Sequence, residues 1–208
     1  AVINGYVQLL IEKREKLPSD VIETIERISR STNRLARLVE ELGLLSNLEL
    51  QNYRVKVETV NLRELVDEAI CDLESKWKRK RLQIEVSVSS DIYAAADSML
   101  LFRIISNLLS NAVKYSSIGE KIEITSYETD RKIFLSVKDN GIGIKSDELP
   151  RIFERFYRAS NAKTSGSSGL GLGLSLVKHA LNLIGGTIDI RSRYMLGTTV
   201  TISIPKKI

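Results

Sequence analysis

Thiol and imidazole are almost missing: Cys71 and His179 are the only cysteine and histidine in 208 residues. An internal disulfide framework is thereby excluded, as is a structural zinc site built from cysteine and histidine. A reducing, cytoplasmic setting fits that usage. Prolines number three and aromatic residues only 6%. No apolar run approaches the roughly 18 residues of a membrane span, and the opening AVINGYVQLL lacks the basic start of a secretion signal. The reading is a soluble fragment without membrane contact. With 43% hydrophobic and 27% charged residues, it has the composition of a globular protein. Its length suits one ordinary domain and a smaller companion. A net charge of +5 is too mild to name a partner. The densest basic run, Lys76 to Arg81, fits a helix end favoured by the dipole, so no nucleic acid is inferred from it.

Residues 1–52 have a different texture from the rest. They hold no alternating segment, and Pro18 separates two helix-like stretches. In the second, Val21, Ile28, Leu35 and Leu42 recur every seven residues, interleaved with Ile25, Thr32, Val39 and Ser46, the seam spacing of a bundle. Asp20 with Glu23 offers an N-cap. The stripe is wider than one partner helix covers, so a homodimeric four-helix bundle is the simplest closed solution.

From about residue 53 the periods alternate. Strands are expected at Val55–Thr59, Leu82–Val88, Lys121–Tyr127, Ile133–Val137, Thr187–Ser192 and Thr198–Ile204. Helices are expected from an Asn61 cap to about Lys80, from an Asp97 cap to about Val113, and from about Leu170 to Leu183. Between Gly141 and Gly169 the chain is rich in loops, with one short helical piece near Ile152–Tyr157. The fold class is therefore α+β: a helical hairpin followed by an α/β sandwich, one mixed sheet with helices on one face.

Four patterns carry chemistry by their order. In N-L-L-S-N-A-V-K-Y-S at 107–116, Asn107 and Asn111 stack on one helix face with Lys114 a turn away, two neutral oxygens and a cation suited to Mg²⁺ and phosphate. D-N-G-I-G-I at 139–144 places the Asp139 carboxylate at a strand end, where it could accept from an amino group, or else forms a plain turn. I-F-E-R-F-Y-R at 152–158 gives a lid anchor, with Phe153 and Phe156 as packing and Arg158 beside a small polar run expected to be mobile. G-L-G-L-G-L at 169–174 opens a helix whose N–H groups can hold an anion. It is neither a P-loop nor a dinucleotide fingerprint, and protein-kinase motifs are absent.

Together with G-T-T-V-T at 197–201, this series resembles the sensor histidine kinases of two-component systems. The resemblance covers 53–208 as the catalytic ATP-binding domain and 1–52 as most of the dimerisation hairpin. It implies that Asn107 and Asn111 hold Mg²⁺, that Lys114 and Tyr115 lie along phosphates or ribose, and that Asp139 binds the adenine amino group. Gly141 and Gly143 would shape the adenine floor, Arg158 would reach the γ-phosphate, and Ile144, Gly169, Leu170, Gly171, Leu172, Gly173 and Thr199 would complete the ATP site. Asn107, Lys114 and Arg158 would act in the transfer. Leu170 replaces the Thr or Ser common between the first two glycines.

The family's phosphoacceptor box, H-E-x-x-[TN]-P, would sit about seven residues before Ala1 and is not in the chain. The expectation is a piece of a longer kinase that binds ATP without phosphorylating itself. Its partners would be a response-regulator receiver domain and a second copy. It would be cytoplasmic, whether free or as the inner part of a membrane-bound sensor. His179, on the helix after the glycines, reads as structural, and Cys71 as a small hydrophobe. Rival readings are another ATPase or serine kinase of the same superfamily, and a dimerising scaffold that binds no nucleotide.

Overall fold

A computed structural model describes residues 5, 6, 10, 18–50, 52–164 and 169–206. The chain divides into two compact units, Ala1–Asn47 and Leu48–Ile208. Most of the hairpin's first arm lies outside the described residues. Its second arm is α1 (Ser19–Glu49). The helix starts one residue before the expected cap, so Asp20 lies in the first turn, where a carboxylate still complements the dipole. Ile25 and Leu45 are buried, but Val21, Ile28, Leu35 and Val39 of the seam are exposed.

In the second unit the elements run β1 (Glu58–Asn61), α2 (Leu62–Asp72), α3 (Glu74–Arg79), β2 (Gln83–Ser87), β3 (Tyr93–Ala96), α4 (Ser98–Tyr115), β4 (Lys121–Glu128), β5 (Lys132–Asp139), α5 (Ser160–Thr164), α6 (Gly173–Leu183), β6 (Thr187–Arg193) and β7 (Gly197–Pro205). The main sheet has the order β2-β4-β5-β7-β6. Only β2–β4 is parallel, which makes the sheet mixed.

The core follows from two periodicities. Every second residue of β5, Ile133, Leu135 and Val137, is buried, and Ile122, Ile124, Ile202 and Ile204 continue that layer on its neighbours. Across it lies α4, whose Leu101, Ile104, Ile105, Leu108 and Leu109 form one buried stripe at helical spacing. Helices α2 and α6 flank α4. The opposite sheet face is polar or exposed, with Tyr127 stacked on Phe134 at 4.6 Å.

Local chemistry sets the boundaries. Asn61 accepts from the N–H groups of Arg63 and Glu64, and Asp97 accepts from that of Leu100, so both expected caps form. The helix after Asn61 does not run unbroken to Lys80. Ile70's carbonyl accepts from the Leu73 N–H and the Trp77 indole, each at 3.2 Å, and the chain restarts as α3. Strand β3 is an addition. Its Y-A-A-A sequence has little strand propensity, and antiparallel pairing with β1 creates it.

Candidate functional site

Helix α4 supplies the first wall. Asn107 donates its amide to the Arg103 carbonyl at 2.9 Å, which leaves Oδ1 directed at the start of α6, where a β-carbon on Gly173 would lie 2.5 Å from it. Asn111 is half-buried one turn on. Lys114 Nζ donates to the Tyr115 hydroxyl at 2.8 Å and lies 4.5 Å from that ring's centroid. A side chain at Gly169 would collide with the same Nζ. The glycine run thus crosses the polar face of α4 from Lys114 to Asn107.

Strand β5 ends in the second feature. Asp139 is 8% exposed and accepts the Gly141 N–H at 2.9 Å. Burial pushes its carboxyl up to about 6, against the lowering pull of backbone N–H groups from Gly141 and Thr198. A side chain on Gly141 would strike the Tyr115 carbonyl, and the Ile142 N–H donates to that oxygen at 3.3 Å. The D-N-G loop therefore hangs on the end of α4. Farther along, the Ile144 N–H donates to Ser192 Oγ at 2.9 Å.

The lid segment departs from expectation. No helix forms over Ile152–Tyr157. Leu149–Arg151 is a 3-10 turn, and the small polar run folds in part as α5. Phe156 is 58% exposed, not core packing. Arg158 donates to the Ala162 carbonyl at 2.8 Å, within the lid's own backbone. Glu148 accepts from the Ser160 N–H at 2.8 Å and from the Tyr157 hydroxyl at 3.0 Å, and these donors, the Ser160 N–H foremost, hold its carboxyl below the usual range. Asn161 donates to the Gly143 carbonyl at 2.6 Å, binding α5 to the D-N-G loop. Neither Glu148 nor Asn161 stands in a pattern that sequence reading could single out.

Thr199 pairs with Lys138 and Arg191, so alternation puts its side chain on the sheet face away from Asp139. Thr198, opposite Asp139 in the ladder, occupies the place assigned to Thr199. Leu172 is 1% exposed and packs in the core, so only its backbone is available to the site. Helix α6 begins at Gly173 rather than Leu170, because Gly171 adopts a left-handed φ of 73°. His179 keeps to a structural place, with Nδ1 2.8 Å from the Ser175 carbonyl.

Residues 96–208 match the family described as histidine kinase-, DNA gyrase B- and HSP90-like ATPases. The chain belongs to this family. Within it, the chain is the ATPase core of a sensor histidine kinase: it is 28% identical over 206 residues to the sensor protein SrrB of Staphylococcus aureus, across 99% of its own length and 35% of SrrB. The chain thus spans about a third of such curated relatives. A mycobacterial sensor histidine kinase, MprB, is 30% identical over 73% of this chain and 99% of that structure, with a TM-score of 0.62. The histidine kinase ThkA, solved in complex with the response regulator TrrA, matches 99% of this chain and 57% of its own at 25% identity and a TM-score of 0.71. The mixed sheet and its helices are those of the family's catalytic domains. Among the described residues no helix is long and apolar enough to cross a membrane, and no cluster of His, Cys, Asp and Glu could hold a metal. Mg²⁺ accepts neutral oxygens and shares its shell with phosphate and water. The Asn107 and Asn111 amide oxygens on one face fit such an ion.

Proposed function

We propose that residues 53–208 bind ATP for phosphoryl transfer to a histidine on the dimerisation hairpin, of which residues 1–52 are a part, and from there to an aspartate of a response-regulator receiver domain. The observation that supports this best is that Gly169 and Gly173 lie against Lys114 and Asn107 on α4, while the loop after Asp139 is tied to the end of the same helix. Asp139 accepts from the adenine amino group, with Thr198 beside it. Lys114 and Tyr115 lie along the phosphates, and the backbone of Gly169–Gly173 covers them. Asn107 and Asn111 would hold Mg²⁺, which would offset charge on the phosphates. Arg158 exchanges the Ala162 carbonyl for the γ-phosphate, so its present bond is the one that closure breaks.

Transfer then depends on positioning. The lid excludes water, and the hairpin presents a neutral imidazole in line with the γ-phosphorus, with a neighbouring carboxylate to take its proton. The 208-residue chain has no hairpin histidine, so alone it holds nucleotide without phosphorylating itself. The exposed seam of α1 supports a homodimer as the working assembly. ThkA's complex with a response regulator supports the receiver-domain partner.

The test is displacement of a fluorescent ATP analogue by ATP, with and without Mg²⁺, on this chain and on Asn111→Ala. The expected result is binding that strengthens with Mg²⁺ in the parent and loses that dependence in the variant. Absence of binding at millimolar nucleotide would overturn the reading.

A further inference from the structure

The C-terminal end of α4 is where the proposed phosphate and adenine contacts meet, and a helix end must find donors for its last carbonyls. Each of them has one here. Ala112's carbonyl accepts from the Ser116 N–H at 3.0 Å and Ser116 Oγ at 2.7 Å. Tyr115's accepts from the Ile142 N–H. The remaining three, from Val113, Lys114 and Ser116, converge on a single atom, Lys80 Nζ, at 2.9, 2.7 and 2.8 Å. An ammonium has three N–H donors and no acceptor, so the three carbonyls match its whole capacity.

Lys80 is held for this task from both sides. Its own carbonyl accepts from the Gly119 N–H at 2.9 Å, which ties it to the turn after α4. The next residue, Arg81, takes a left-handed φ of 54° that swings the chain into β2. Burial, followed by the Arg79 charge, lowers the amine's pKa from its ordinary value. The residue precedes the 96–208 stretch that matches the family, and it meets Lys114 only at the backbone carbonyl, not at the side chain assigned to ATP.

We infer that Lys80 is a positioning residue for nucleotide: by closing the end of α4 it fixes Lys114 and Tyr115, and through the Tyr115 carbonyl the loop that follows Asp139. The inference rests on the ATP reading above. Without the ammonium, three carbonyl dipoles face one another with no donor between them. The last turn then opens to reach water, and Lys114 and the Gly141–Ile142 loop shift together.

Binding of the fluorescent ATP analogue is measured on the full chain for wild type, Lys80→Met, Lys114→Ala and the double variant, with circular dichroism as the check on folding. Lys80→Met is expected to weaken binding about tenfold or more in the wild-type background, and by less than about threefold when Lys114 is already alanine. In Lys80→Ala, n-propylammonium replaces the missing atoms and restores binding, whereas tetramethylammonium at equal ionic strength does not. Binding by Lys80→Met within twofold of wild type overturns the inference, as does an equal loss in both backgrounds. Should Lys80→Met fail to fold, the alkylammonium titration of Lys80→Ala decides alone, with recovery of binding in support and no recovery against. Failure of the wild type to bind nucleotide overturns the ATP reading itself, a result none of the variants can mimic.

Discussion

Two walls of the candidate site are held by different kinds of interaction. On one side α4 presents Asn107, Asn111 and Lys114 from a helix whose opposite face is buried in the core, and β5 ends in Asp139 on its own buried face. On the other, residues 140–172 form only a 3-10 turn and the five residues of α5 among those described. Beyond the buried Ile152, Ala159, Ala162 and Leu172, polar links hold that side: Glu148 to Ser160, Asn161 to Gly143, and Arg158 to Ala162. Apolar burial is lost only by disrupting the fold, whereas a hydrogen bond can be traded for one to a ligand at small net cost. The first wall sets the geometry that nucleotide must meet, and the second can adjust to it.

The sharpest break in this comparison is expected at Asp139, a charged group on the wall that cannot adjust. Its folded pKa of about 6, against 3.8, means that the folded state binds the proton more tightly than the unfolded one. The carboxyl therefore lowers stability as pH rises from about 4 through 6, and above that the cost is about 3 kcal/mol. Asp139→Asn should stabilise the nucleotide-free chain by up to that amount at pH 7.5 and by almost nothing at pH 4, as urea unfolding would show. ATP affinity should fall about tenfold or more in the same variant, and in the wild type it should decline as pH drops through about 6. Equal stability at both pH values would mean that burial does not strain this carboxylate.

Gly171 tests the adjustable wall. Its φ of 73° is one that a side chain disfavours by about 1–2 kcal/mol, and a β-carbon there would come within 2.6 Å of the Phe156 backbone. Because the neighbours are loop, Gly171→Ala should move them and leave the core intact. The expected outcome is a melting temperature lowered by only a few degrees, together with faster proteolysis of the lid and weaker nucleotide binding. A collapse of the whole domain would join this loop to the rigid wall.

The same division governs what could be read from sequence. Helix α4 and β5 declared themselves through periodicity and the Asp97 cap, since their fold-determining contacts are repeated along the chain. On the loop side three of the four motifs were visible, but not the way they interlock. Glu148 and Asn161 act through single tertiary bonds with no pattern, and α5 lay hidden in a polar run. Thr198 rather than Thr199 faces Asp139, because a one-residue change of register reverses the face. Lys80 was absorbed into a basic helix end, and its partners lie 33 to 36 residues farther on.

The smallest effect expected, and the most discriminating, is at Phe156. It is a large apolar residue at a φ of 62°, more than half exposed, with its N–H donated to the Gly171 carbonyl at 2.9 Å. Neither burial nor backbone preference explains its presence, and strain of this kind gathers where a chain handles ligand. Glycine relieves the φ but loosens the unfolded chain, so Phe156→Gly should change stability by less than about 1 kcal/mol. If the loop wall serves nucleotide, the same variant should bind ATP several-fold more weakly. A loss of stability above about 2 kcal/mol with unchanged affinity would instead place Phe156 among the packing residues, and the boundary between the two walls would have to be drawn on the far side of the lid.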